Sequence, residues 1–275
     1  MFAIGVFNAN NGPKQSPGSC TVLRPNGPGT ISPISLQGTC NNGEPEYVGL
    51  FSGDSYAVSN SVAALNGASQ YTITAWINPT NAPTSSGEWI YSLGSPSGAA
   101  ILQFEVYTSD QLRIGDYNKG AGAWVYANTA QLIPFNQWTF VAVTLQNGGV
   151  NTGTYDLYIN GNMVTSASGQ SANWPNGNYI MLGGNVGGIY GGQVTDYYTG
   201  SIANLQTYKQ ALGSNTIQQM YYRGIGGAPL NLNYLDTWYP LNGDIYDYSG
   251  NGRNFTTSSA NIIFTQNWQS GYNIP

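Results

Sequence analysis

The stretch WTFVAVTL (138–145) is apolar on both of its faces. Side chains along a strand alternate with a period of two, so this run belongs in the middle of a layered structure, covered from both sides. Upstream, YTITAWINP (71–79) sets Tyr71, Ile73, Ala75 and Ile77 against Thr72, Thr74, Trp76 and Asn78. Leu102, Phe104 and Val106 alternate with Gln103, Glu105 and Tyr107, which gives one buried face. Downstream, residues 155–159 and 163–166 flank Asn160-Gly161, the signal of a type I′ hairpin. Strands with turn residues between them recur over residues 47–202, which predicts an antiparallel sandwich rather than βαβ units. One helix interrupts the pattern. In TIQQMYYR (216–223), Ile217, Met220 and Tyr221 share a face and Gly224 supplies the stop, so a short helix is expected near residues 214–223.

Composition narrows the function. The 275 residues carry only 7% charged side chains, against about 25% in ordinary globular chains. Glycine numbers 37 and tyrosine 21. With no histidine there is no Ser-His-Asp triad, no Cys-His pair and no His-ligated zinc. Seven basic residues and a net charge of −5 argue against a nucleic-acid partner. No apolar run approaches the ~18 residues of a membrane span. Residues 1–7 form a short apolar stub, too short to span a bilayer and without a basic leader. It reads either as a plain strand or as the end of a longer hydrophobic helix lying upstream. Residues 12–43 are rich in Pro, Gly and Ser and hold both cysteines, Cys20 and Cys40. The pair fits a disulfide closing a loop of about 20 residues, which would imply an extracytoplasmic place; two free thiols in a reducing compartment is the other reading. The scarcity of charge predicts a fold indifferent to pH between roughly 2 and 7.

Five pieces, in order, resemble the laminin-G-like, concanavalin-A-like family. They are Phe51-Ser52-Gly53 with Tyr56; the YTITAWINP strand; Trp138-Thr139-Phe140-Val141-Ala142-Val143-Thr144; Leu157-Tyr158-Ile159-Asn160-Gly161; and Thr199-Gly200-Ser201-Ile202 through Tyr208 with Ala211-Leu212 and residues 217–221. The resemblance implies an all-β, antiparallel two-sheet jelly-roll sandwich over residues 46–275, preceded by the stub and cysteine-closed segment at 1–45. There are departures: Ser52 replaces an acid, Ala203 and Asn204 replace paired acids, and Gly213 and Thr216 replace a capping box. Tyr239-Pro240-Leu241-Asn242-Gly243 and the loop through Gly252 resemble what the family places first. Residues 228–275 are therefore read as a permuted C-terminal strand, the alternative being the truncated start of a second module. Phe2-Ala3-Ile4-Gly5-Val6-Phe7-Asn8 resembles the end of the helix of archaeal type IV pilin-like proteins.

The twelve carboxylates make the search for chemistry finite. Sandwich glucanases pair acids on one strand face, whereas here Glu105 and Asp156 each stand alone on a strand and Asp110 and Asp116 flank a hairpin. Asp244, Asp247 and Asn251 offer oxygen ligands in a Gly-rich loop of the kind that often holds Ca²⁺ in the family; a turn using those side chains for its own backbone is the competing reading. Trp124, Trp174, Tyr190, Tyr197 and Tyr198 lie in or beside Gly/Asn-rich stretches, where aromatics either stack on sugars or pack under loops. The resemblance implies a non-enzymatic surface binding or adhesion module with a glycan or cell-surface protein as partner. A pilin-like filament subunit with this head domain is the alternative, and a glycoside hydrolase a third, weaker one. The disulfide reading is checked by mass spectrometry of protein prepared without reductant: Cys20 and Cys40 are expected in one bridge, and two alkylatable thiols would refute it.

Overall fold

The computed structural model describes residues 20–25, 31–36, 44–59, 65, 68–83, 86–94, 100–118, 122–170, 179–185, 194–257 and 262–275. The cysteine Cys40 and the stub at 2–8 lie outside them. The strands β1 (Cys20–Pro25) and β2 (Ile31–Leu36) form a hairpin of their own, with Cys20 opposite Leu36.

Two antiparallel sheets make the jelly-roll sandwich. The larger has eight strands. They are β3 (Val48–Ser52), β5 (Tyr71–Pro79), β10 (Thr139–Gln146), β11 (Gly153–Ile159), β12 (Asn162–Gln170), β14 (Thr199–Tyr208), β15 (Leu235–Tyr239) and β17 (Ile263–Thr265). The smaller has seven: β4 (Ala57–Ser59), β6 (Glu88–Gly94), β7 (Ala100–Val106), β8 (Gln111–Asn118), β9 (Ala123–Leu132), β13 (Tyr179–Leu182) and β16 (Thr256–Thr257). The larger runs β12-β11-β10-β5-β14-β3-β17 with β15 added beside β14; the smaller runs β16-β4-β13-β6-β7-β8-β9.

The alternation in the sequence explains the layers. Tyr71, Ile73, Ala75 and Ile77 of β5 and Val141, Val143 and Leu145 of β10 meet Leu102, Phe104, Val106, Leu112 and Ile114 of the smaller sheet in the central core. The other face of β5 and β10 carries Trp76, Phe140 and Ala142, which are also buried. They are covered by α1 (Ser214–Tyr222), through Ile217 and Met220, and by Trp268 near the C-terminus. Trp76 stacks on Tyr221 at 5.8 Å, and the Trp138 indole N–H donates to the Trp268 carbonyl at 2.7 Å. This second core is why WTFVAVTL has no polar face. The helix starts at Gly213 with no side-chain cap, so packing rather than capping holds it. The β11–β12 hairpin turns through Asn160 (φ 50) and Gly161 (φ 76), with Ile159 opposite Asn162, as the type I′ signal requires.

The C-terminal segment is woven into both sheets. β14 pairs with β3 over residues 199–202 and with β15 over residues 205–208. At the junction, Asn204 (φ 50) takes up a bulge against β5. Its side chain accepts the Trp238 indole N–H at 2.9 Å and donates to the Gly227 carbonyl at 2.8 Å. β16 adds to β4, and β17 to β3. Deleting the residues after Gly227 removes three strands and half the cover of the second core. The expected outcome is loss of cooperative thermal unfolding; a sharp transition at an unchanged temperature would show that the segment is an appendage.

Candidate functional site

On the smaller sheet the inner residues of β7 and β8 enter the core, so Gln103, Glu105, Arg113, Gly115 and Tyr117 point the other way. The register continues onto β9, placing Glu105, Arg113 and Asn128 in one row, Gln103, Gly115 and Tyr126 in the next, and Tyr117 opposite Trp124. A chain of stacked groups results. Arg113 lies with its guanidinium carbon 3.3 Å from the Tyr107 ring centre and 4.5 Å from that of Tyr126. Tyr126 stacks on Trp124 at 6.0 Å and 11°, and Tyr117 meets Trp124 edge-on at 5.9 Å. Gly115 makes this packing feasible: a Cβ there would stand 2.7 Å from the Tyr126 ring. Tyr126 is 42% exposed and Trp124 half-buried, so the rings form an accessible edge.

Beneath the rings is a buried polar group. The Arg113 Nε–H donates to Glu105, and the Gln103 amide donates to the same carboxylate oxygen at 2.6 Å. Glu105 has no exposed surface; burial pushes its carboxyl up to about 7, against the opposing pull of Arg113 and Gln103. Glu105 is thus paired with Arg113 of the neighbouring strand. Glu88 of β6, which stands opposite Val106, accepts the Thr199 N–H at 3.0 Å and is pushed up to about 6, again by burial.

The sequence reading of Asp116 as a solvated turn acid is overturned. Asp116 sits opposite Leu102 on the inner face, fully buried, and neither carboxyl oxygen has a hydrogen-bond partner among the described residues. Burial alone raises its pKa well above the ordinary value.

The other residues singled out in the sequence do not gather into one site. Trp174 and Tyr190 lie outside the described residues. Tyr197 is half-buried against Tyr56 at 6.2 Å. Tyr198 must be corrected: it is fully buried against Phe51, because consecutive residues entering a strand face opposite ways and Tyr198 takes the inner one. Trp124 alone joins the stacked chain. Tyr107, Arg113, Tyr117, Tyr126 and Asn128 were missed, although the i, i+2 spacing of Trp124, Tyr126 and Asn128 carried the signal.

The loop at 244–251 does not fit a calcium ion in this arrangement. Asp247 accepts the N–H groups of Trp238 and Arg253 at 3.0 Å and of Ser249 at 2.9 Å, and the Ser249 hydroxyl at 2.9 Å. Asp244 accepts the Tyr246 N–H at 3.1 Å and the Tyr248 hydroxyl at 2.7 Å. Asn251 donates to the Asp236 carbonyl at 2.9 Å. The oxygens a metal would need are committed to the loop's own donors. The Arg253 guanidinium lies beside the loop, paired with the buried Asp236.

The sequence profile of the concanavalin A-like lectin/glucanases superfamily matches residues 51–218. The chain belongs to that superfamily. No curated protein matches it by sequence. Among solved structures, this superfamily member is similar to a protein from Bacteroides ovatus assigned to carbohydrate binding, at TM-score 0.59 and 18% identity over 86% of this chain and 66% of that one. It is similar to the heptameric SAP-like pentraxin of Limulus polyphemus, at TM-score 0.56 and 16% identity over 80% of this chain and 94% of that one. It is also similar to the CBM40 of the Ruminococcus gnavus IT-sialidase bound to α2,3-sialyllactose, at TM-score 0.50 and 15% identity over 65% of this chain and 98% of that one. Identities this low establish a shared fold.

The buried acids replace the expected indifference to pH with a sign. Glu88, Glu105, Asp116 and Asp236 are all raised, chiefly by burial, so the folded state holds protons that the unfolded chain has released. Their contribution is fully present below the unfolded value of about 4 and is lost as pH rises through the folded values. Thermal melts are expected to rise by on the order of 5 °C between pH 8 and pH 5, with Asp116→Asn flattening part of that slope. A melting temperature that falls on acidification over this range would contradict the assignment.

Proposed function

We propose that this chain is a non-enzymatic glycan-binding module of the cell exterior, with the aromatic edge of β8 and β9 as its contact surface. The observation that carries the reading is the Tyr126–Trp124–Tyr117 array, held from below by Arg113 and bordered by the exposed Asn128. Aromatic faces suit the C–H surface of a pyranose ring, and an amide beside them can both donate to and accept from hydroxyls. The carbohydrate-binding assignment of the Bacteroides ovatus protein and the sialyllactose bound to the CBM40 support the reading by fold analogy.

The site is poorly equipped for hydrolysis. A glycosidase sets two acids across the scissile bond. Among the described residues on the outer face of β7, β8 and β9, the acid is Glu105, and it is fully buried in a pair with Arg113. An extracellular place is supported by the sparse charge and by the cysteine pair of the N-terminal segment.

A glycan array identifies the ligand, and calorimetry on the best binder tests the site. Trp124→Ala and Tyr126→Ala are each expected to weaken binding tenfold or more, in line with the ~2 kcal/mol typical of a truncated aromatic anchor. Full affinity in both variants would move the ligand elsewhere.

A further inference from the structure

Asn254-Phe255-Thr256 has the form Asn-X-Ser/Thr, with X other than proline, that oligosaccharyl transferases read. No other asparagine of the chain carries it; Asn78 has Thr80 at the right distance, but Pro79 stands between them. The pattern arises by chance in many chains, so the placement of its residues decides. Asn254 is exposed and lies just before β16. Its neighbours fix the backbone there. The Arg253 carbonyl accepts the Tyr239 hydroxyl at 2.7 Å, and Phe255 is buried with its ring stacked on Tyr239 at 4.1 Å. The Asn254 side chain is held by its carbonyl, which accepts the Asp247 N–H at 2.9 Å. An N-glycosyl amide keeps that carbonyl, so the bond survives attachment of a sugar to Nδ2.

We infer that Asn254 is an N-glycosylation site, with its amide nitrogen as acceptor and a lipid-linked oligosaccharide as donor. The inference rests on the exterior placement proposed above, since the transfer takes place on the way out of the cell. In the transfer the Nδ2–C1 bond forms as the bond from C1 to the lipid phosphate oxygen breaks. The lipid phosphate leaves with the electron pair, and the transferase takes the amide proton. In the folded chain the Thr256 hydroxyl donates to the Val58 carbonyl at 3.1 Å, across the pairing of β16 with β4. The transferase reads that hydroxyl, so transfer precedes the docking of β16, and the sugar then stands on an exposed residue of the finished fold. The position suits the rest of the molecule. β16 is one edge of the smaller sheet and β9 is the other, so a glycan on Asn254 leaves the aromatic edge of β8 and β9 open. Its bulk stands beside a two-residue edge strand, where a hydrated chain obstructs edge-to-edge pairing with another molecule.

The test is peptide mapping of the full chain recovered from the cells that make it, with surface and cytoplasmic fractions kept apart. Arg253 is the last basic residue, so trypsin releases residues 254–275 as one peptide. Fragmentation by electron transfer is expected to place a sugar mass on Asn254 in the surface fraction. A bare Asn254 in chain from the surface, or the sugar on a Ser or Thr of the same peptide instead, would overturn the inference and leave the exterior reading standing. Chain found only in the cytoplasm would remove the exterior reading and this inference with it. Two variants, checked for folding by circular dichroism, give an independent arm. Thr256→Ala is expected to lower the occupancy of Asn254 at least about tenfold, whereas Thr256→Ser keeps the larger part of it. Unchanged occupancy in Thr256→Ala would show that Asn254 is not read as this acceptor.

Discussion

The central strands of the larger sheet, β5 and β10, are buried on both sides, and the rest of the molecule is arranged around that constraint. β5 and β10 put Ile73, Ala75, Val141 and Val143 toward the smaller sheet, and Trp76, Phe140 and Ala142 toward α1 and the C-terminal cover. A strand with two apolar faces cannot be left at a surface, so the chain needs a helix and a returning tail as much as it needs the second sheet. This also assigns the faces. The outer side of the larger sheet around β5 and β10 is filled by Trp138, Tyr221, Trp268 and Met220. On the smaller sheet the outer residues Gln103, Glu105 and Arg113 are buried and polar, and Tyr126 beside them is exposed.

Much of this was legible from alternation. The strands around Tyr71, Leu102, Trp138 and Tyr155, the Asn160-Gly161 turn and the helix before Gly224 stand where their patterns placed them. Alternation assigns a residue to one of two faces, and it failed where a polar residue took the inner face. Asp116 reads as an acid flanking a hairpin, yet it occupies a core position opposite Leu102. Pairings between distant strands were equally invisible. Nothing local links Glu105 to Arg113, which strand register brings together, or Asp236 to Arg253, which the path of the loop between β15 and β16 brings together. The chemistry of the acids in the 244–251 loop depends on whether backbone N–H groups turn inward, which composition does not encode.

The two ion pairs occupy different places in the energetics. A buried pair contributes little net stability, since desolvation offsets most of its Coulomb attraction, while removal of one partner leaves a buried charge unanswered. Arg253 and Asp236 fix the path of a loop that carries the chain from β15 to β16, so their value lies in specifying one arrangement. Arg113 and Glu105 instead lie beside an exposed aromatic edge, where the guanidinium packs against the Tyr126 ring. In a chain with 7% charged residues, each such pair shapes its neighbourhood with little competition from other fields.

The arginine in the C-terminal loop carries a consequence for where such a domain can operate. A counter-ion drawn from solution is held only while the medium supplies it, so a loop built around one loosens when that ion is scarce or sequestered. Arg253 is bonded into the chain two residues after Asn251 and three residues before β16, and it cannot diffuse away. Its local concentration is set by covalent geometry rather than by mass action with the surroundings. The bonds described for this corner of the sandwich are made by groups of the chain itself, so they are written into the sequence rather than drawn from the medium.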